Sequence, residues 1–159
     1  MANNEHDEVE WLDEEEQIAW RHFLRGTAFA IERINRDMVE DNGITFNEYE
    51  VLVRLSESPD RKARMSQLAK NLVHSRSRLT HTVSRLEAAG YVLREPCADD
   101  RRGIMCTLTD AGFAKLEQSA PKHVNSVREH LLSKLTRDEF LAYGDTSAKL
   151  LGEADFSQL

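Results

Sequence analysis

Residues 13–42 set the first constraint on any fold this chain can adopt. Ala19, Phe23, Ala30, Ile34 and Met38 recur close to the 3.6-residue period, with Trp20 and Ile31 beside them. Asp13 is a natural N-cap with Glu16 at the third helical position, Leu12 is placed to staple the entry, and Gly43 supplies the stop. A single helix of roughly 30 residues is ~45 Å long at 1.5 Å per residue. That is too long to pack wholly on the core of a 159-residue chain. The pattern therefore predicts a partner for the surplus length, and a second copy of the chain is the simplest one.

The rest of the chain suits one domain with appended elements. Two cysteines, Cys97 and Cys106, make no disulfide framework. The acidic start, "MANNEHDEVEWLDEEE", lacks the basic and apolar regions of a signal peptide. No apolar run approaches the ~20 residues of a membrane span. A soluble, cytoplasmic protein with no membrane contact is expected. Residues 1–12 read as an acidic, disordered N-terminus.

Further along, "TFNE" (Thr45–Glu48) is a capping box opening a second helix with Tyr49, Leu52, Val53 and Leu55. "SESPDRKAR" breaks it. Ser66 is expected to cap a short helix, "QLAKNLV", and Ser75 the next, from Arg76 to about Ala89, with Gly90 as its stop. "YVLREP" and "GIMCTLT" read as two strands joined by the polar loop "CADDRR", and Pro96 predicts an edge strand. Thr109 caps a long helix containing Pro121, which should kink it, and "TRDE" (Thr136–Glu139) opens a last helix to about Gly152.

Charge is segregated along this layout. The net charge is −7, yet residues 61–102 hold ten Lys or Arg against four Asp or Glu. A basic island in an acidic chain is the footprint of a polyanion partner. Its centre is "HSRSRLTHTVSRL" (His74–Leu86), which has three arginines and no acid. On a helix, Leu79, Val83 and Leu86 form an apolar stripe, and Ser77, Arg78, His81, Ser84 and Arg85 lie away from it. An acid-free face of Ser, Thr, Arg and His suits double-stranded DNA: Arg pairs with guanine O6 and N7, and the others reach base edges or phosphates. Ser75 leaves the positive end of the helix dipole facing outward, a phosphate site. The preceding helix and tight turn make a helix-turn-helix. Arg101 and Arg102, at the hairpin tip, are long enough to enter a minor groove. Asp100 is placed to orient one of them.

"MSQLAKNLVHSRSRLTHTVSRLEAAGYVLREP" followed by "DDRRGIMCTLTDAGFAKLE" resembles the MarR family of winged helix-turn-helix transcription regulators. The likeness rests on the Ser75–Val92 segment, the Asp100–Arg102 wing tip, and the "LTDAG" that reopens a helix. It extends to the flanks, "YEVLVRLSESP" and "APKHVNSVREHLLSKLTRDE". It implies a mainly α fold with a small β-hairpin wing. Residues 44–109 would form the DNA-binding lobe, with dimerisation helices in 13–43 and 110–159. It implies a homodimer on a pseudo-palindromic operator, a repressor often released by a small ligand. By position, Ser75, Ser77, Arg78, Thr80 and His81 match the family's groove-facing residues, Arg76 and Arg85 its phosphate contacts, and Arg102 its wing arginine. Family members commonly carry arginine at the place of His81.

Other residues bear on regulation. The family's effector cleft lies between dimerisation helices and DNA-binding lobe. Trp20, Arg21 and His22 are candidates to line it and to take a planar, anionic aromatic ligand, against plain packing. Cys97 and Cys106 flank the wing. A reversible disulfide or a thiol activated by Arg94, Arg101 and Arg102 would make a redox sensor, against small strand residues. None of the six histidines forms an H-x₃-H or HExxH pair, so no metal and no cofactor is expected, and His22 and His123 read as interface or pocket residues. No GxSxG, P-loop or GxGxxG is present, so an enzyme is not expected. The competing readings are a thiol- or metal-responsive sensor and a helical protein-interaction module.

Overall fold

The computed structural model describes residues 9–72, 75–97 and 103–152. Helix α1 spans Glu14–Asn42, closed at its start by the reciprocal Asp13–Glu16 capping box and at its end by Gly43 in the left-handed region (φ 67°). No basic residue stands in its last turn. Lysines from elsewhere serve the C-terminal carbonyls instead: Lys115 Nζ donates to Asn42 O and Lys122 Nζ to Asp41 O, both at 2.6 Å. Helix α2 (Phe46–Glu57) starts on the Thr45–Glu48 capping box.

The stretch after α2 is more than a break. A short turn (Pro59–Arg61) holds Asp60 and Arg61 at positive φ and leads into strand β1 (Lys62–Arg64). Strands β2 (Val92–Pro96) and β3 (Ile104–Leu108) form the expected antiparallel hairpin, and β1 pairs with the other side of β3. The order β1-β3-β2 leaves β2 at an edge, where Pro96 leaves no ladder bond unmade. Sequence alone does not show β1, because only Ala63 of its three residues turns inward and Lys62 and Arg64 are exposed.

Helix α3 (Met65–Asn71) begins two residues earlier than expected. Arg64 is its N-cap position and no side chain caps it, so Ser66 lies within the first turn. Helix α4 (Arg76–Ala88) starts on Ser75, whose hydroxyl accepts from Arg78 N–H at 3.2 Å. Helix α5 (Asp110–Val127) starts on Thr109, and its first turn lies hard against the end of the α4–β2 turn. A Cβ on Gly112 would sit 2.1 Å from Tyr91 O, so only glycine fits this position. Helix α5 contains Pro121, and the carbonyl that it frees belongs to exposed Glu117. A π-helical turn at Arg128–Leu132 follows α5, before α6 (Arg137–Leu151) on its Thr136–Glu139 capping box.

One core joins these elements. Met38 of α1, Leu52 and Leu55 of α2, Leu68 of α3, Leu79, Val83 and Leu86 of α4, and Val92 and Cys106 of the sheet are essentially fully buried together. Only the C-terminal part of α1 reaches it, through Ile34 and Met38. The N-terminal half of α1 keeps Ile18, Trp20, Phe23, Leu24 and Phe29 exposed, as do Leu141, Tyr143 and Leu150 of α6. No helix of the described residues is long and apolar enough to cross a membrane.

Candidate nucleic-acid interface

Helix α4 is fixed from below. Leu79, Val83 and Leu86 are at most 1% exposed and Thr82 is buried beside them. Burying such side chains stabilises by about 1.5–3 kcal/mol each, so the helix is seated firmly and its opposite face is presented firmly. Ser75, Arg76, Ser77, Arg78, Thr80, His81 and Arg85 are all exposed. The expected DNA-contacting residues are therefore all open to solvent. Three hydroxyls also bind back to the preceding turn: Thr80 to Arg76 O, Thr82 to Arg78 O and Ser84 to Thr80 O, at 2.8–3.1 Å. Their oxygens keep lone pairs for accepting.

Two acids near this surface are engaged. Glu87 accepts from Arg94 N–H (3.0 Å), Nε (3.0 Å) and a terminal guanidinium nitrogen (2.5 Å). Those bonds hold its carboxyl below the usual range. The arrangement ties the end of α4 to the hairpin and neutralises the one acid of the helix. Glu48 is buried and takes Arg85 Nε at 2.9 Å. Arg85 is thus paired with α2, although its side chain stays 57% exposed. Burial raises the pKa of Glu50, against the pull of Arg54 and Arg78.

A second surface feature adjoins this face. A cleft of about 280 Å³ is lined by Arg64, Ser66, Arg76, Thr80 and Gly103, among others. It brings the end of β1 beside the first turn of α4 and the start of β3. Its arginine from β1 is invisible to a reading that takes residues 56–64 as a break. Arg101 and Arg102, the expected minor-groove arginines, and Asp100 and His74 lie outside the described residues.

The regulatory residues fall differently. Trp20 is exposed and stacks on Phe23 (5.9 Å between centroids), and the Arg21 guanidinium donates to Gln17 Oε1 at 3.2 Å. With His22, they lie on the open half of α1 and line no cavity among those described. The small cleft between α2 and α5, about 170 Å³, is lined instead by Phe46, Tyr49, Glu50, Val53, Arg54 and His123. His123 stacks on Phe46 (5.7 Å) and tilts onto Tyr49 (4.5 Å). Its Nδ1 is buried without a partner among the described residues, and burial lowers its pKa.

The disulfide and an activated Cys106 thiol need correction. Both thiols are free and buried. Cys97 N–H bonds to Gly103 O, while Cys106 stands opposite Arg94. Three residues of strand separate these positions, ~10 Å at 3.3 Å per residue, beyond the ~7 Å that a disulfide spans. Burial pushes the Cys106 thiol up to about 12, and the pull of Arg94 is too weak to reverse it. A thiol held protonated is a poor sensor; Cys106 is a small residue of the sheet core.

Asp37, Glu129 and His130 place one ligand atom each within 4.8 Å of one another. Residues so far apart in sequence form no motif that spacing reveals. His130 Nε2 lies 2.7 Å from Asp37 Oδ2, to which Ser126 also donates at 2.6 Å. The bonds to Asp37, chiefly that from Ser126, hold its carboxyl low.

Comparison with known proteins agrees with this geometry. The model of the MarR family matches residues 42–103. The HTH-type transcriptional regulator PecS of Dickeya dadantii (strain 3937) is 38% identical over 74 residues, 46% of this chain and 44% of PecS, so the match spans less than half of that relative. The HTH-type transcriptional regulator PapX of Escherichia coli is 32% identical over 117 residues, covering 74% of this chain and 70% of PapX. The crystal structure of Sco3205, a MarR family transcriptional regulator from Streptomyces coelicolor in complex with DNA, matches with a TM-score of 0.83 and 38% identity, covering 89% of each chain.

Proposed function

Because the chain belongs to the MarR family of transcriptional regulators, we propose that it binds a pseudo-palindromic DNA operator as a homodimer and represses by occluding the promoter. The observation that carries this reading is the outward face of α4: exposed, cationic, free of unpaired acid and set on a fully buried stripe. Residues 44–109 form the reading lobe. The exposed apolar halves of α1 and α6 pair with a second copy, within 13–43 and 110–159. Two such lobes on a two-fold read half-sites about one turn, ~34 Å, apart.

Ser77, Arg78, Thr80 and His81 address bases, Ser75 and Arg76 the backbone, and Arg101 and Arg102 the adjacent minor groove. The protein acts by binding rather than catalysis, in the cytoplasm where its DNA lies. The His123 cleft, between the helices that carry the dimer and those that carry α4, favours release by a small ligand. Fluorescence anisotropy on labelled genomic fragments at ~0.15 M salt tests the reading. Retention of particular fragments supports it, and equal, weak retention of all fragments removes it. Arg102→Ala should reduce the slope of log affinity on log salt by about 0.9, the value for one neutralised phosphate. An unchanged slope takes the wing arginine out of the interface.

A further inference from the structure

Arg85 lies on the flank of α4 rather than on its outward side. At about 100° per residue, Arg78 and Arg85 fall roughly 20° apart on the flank turned to α2. Ser77, His81 and Ser84 instead cluster within about 60° opposite the buried stripe. The partner of Arg85, Glu48, is only 5% exposed at its side chain. Its carboxylate is occupied on both oxygens: Oε2 accepts from Thr45 N–H (2.7 Å) and Thr45 Oγ (2.9 Å), and Oε1 takes Arg85 Nε (2.9 Å). A buried carboxylate that loses its cation is strongly penalised, so this pair holds one geometry.

The connection continues to α1. Phe46 N–H, next to Thr45, donates to Asn35 Oδ1 at 3.0 Å. Asn35 sits one residue beyond Ile34, where α1 passes from its open half onto the core. A polar chain thus runs from α1, through the first turn of α2, to the reading helix. Its members are Asn35, the Thr45–Phe46 backbone, Glu48 and Arg85.

We propose that Arg85 is a positioning residue: anchored on the Glu48 carboxylate, it fixes the setting of α4 relative to α1 and α2, and so selects which base steps the outward residues Ser77 and His81 reach. This rests on the DNA-reading function above. It replaces the phosphate contact that the family resemblance implies for Arg85. In a dimer joined through α1, the same link makes the pitch of each reading helix depend on the geometry of the dimer.

The test uses the full chain, a duplex selected from a random pool by the wild type, and a scrambled duplex, each titrated across salt. Arg85→Met keeps the stem and removes the charge; Glu48→Gln removes the anchor without touching DNA. Each should weaken binding to the selected duplex by about tenfold, as expected for a broken contact network. Each should leave the scrambled duplex nearly unaffected and the salt slope unchanged. The double variant should be no worse than the weaker single. Loss of about 0.9 from the slope with Arg85→Met, equal loss on both duplexes, and no effect of Glu48→Gln would overturn the proposal in favour of a phosphate contact. If Glu48→Gln does not fold by circular dichroism, the slope and the selected-to-scrambled ratio of Arg85→Met decide alone. A wild type that selects no duplex refutes the DNA-reading function itself, and this inference with it. A wild type that selects while Arg85→Met discriminates equally well refutes only the positioning role.

Discussion

Helices α1 and α4 each leave one face open, and the two faces are chemical opposites. The first half of α1 presents Ile18, Trp20, Phe23, Leu24 and Phe29, the last 66% exposed. The open face of α4 presents serine, threonine, histidine and arginine. An apolar face of this size calls for another apolar surface; a cationic, hydroxyl-rich face calls for a polyanion. The chain therefore carries two open faces with no overlap in chemistry. The C-terminal part of α1 and the polar chain from Asn35 to Arg85 join them.

The comparison breaks most completely if the hidden side of α4 is damaged. Leu79→Ala should destabilise the fold by about 2–5 kcal/mol, the range for a buried leucine, read as a drop in the thermal midpoint. A loss below ~0.5 kcal/mol, typical of surface positions, would mean that α4 is not seated as described. Next in size, Phe23→Asp should leave the fold intact and weaken self-association by about 2 kcal/mol or more, the threshold of an interface hot spot. Sedimentation equilibrium reads this directly, and an unchanged mass would free the α1 face from any role in pairing.

A smaller effect is expected on the polar side. Arg78→Ala should relax preference at one base pair per half-site, at a cost of about 1–3 kcal/mol. Loss spread evenly over all sequences would make Arg78 a backbone contact instead. The smallest effect separates the two faces from the cleft between them. Burial lowers the His123 pKa below its ordinary 6.5, so the folded protein holds this ring neutral while the unfolded chain takes up a proton. Its contribution is therefore present above pH 6.5 and falls away as the pH drops from there toward the folded value. His123→Phe should flatten that part of the stability profile in melts between about pH 5 and 7, where histidine titrates. An identical profile would show that the ring is not held neutral.

What could be read from sequence was local. The capping boxes at Asp13–Glu16, Thr45–Glu48 and Thr136–Glu139 each lie within four consecutive residues, and all three form. The α4 stripe and the hairpin with Pro96 on its edge follow from periodicity and from one missing N–H. What escaped depends on partners far along the chain. β1 exists because β3 pairs with it, the Cys97–Cys106 separation is set by hairpin register, and Glu48 meets Arg85 only once α2 and α4 pack. The cleft lined by His123, Phe46 and Tyr49 was not legible for the same reason: it exists only once α5 packs on α2.

Selection of bound duplexes from a random-sequence pool by the wild-type protein tests the two-interface account most directly. The account predicts an enriched, two-fold symmetric sequence with half-site centres about 10–10.5 base pairs apart, one lobe of the dimer on each. Enrichment of a single unsymmetric element, or no enrichment at ~0.15 M salt, where non-specific binding is weak, would contradict it.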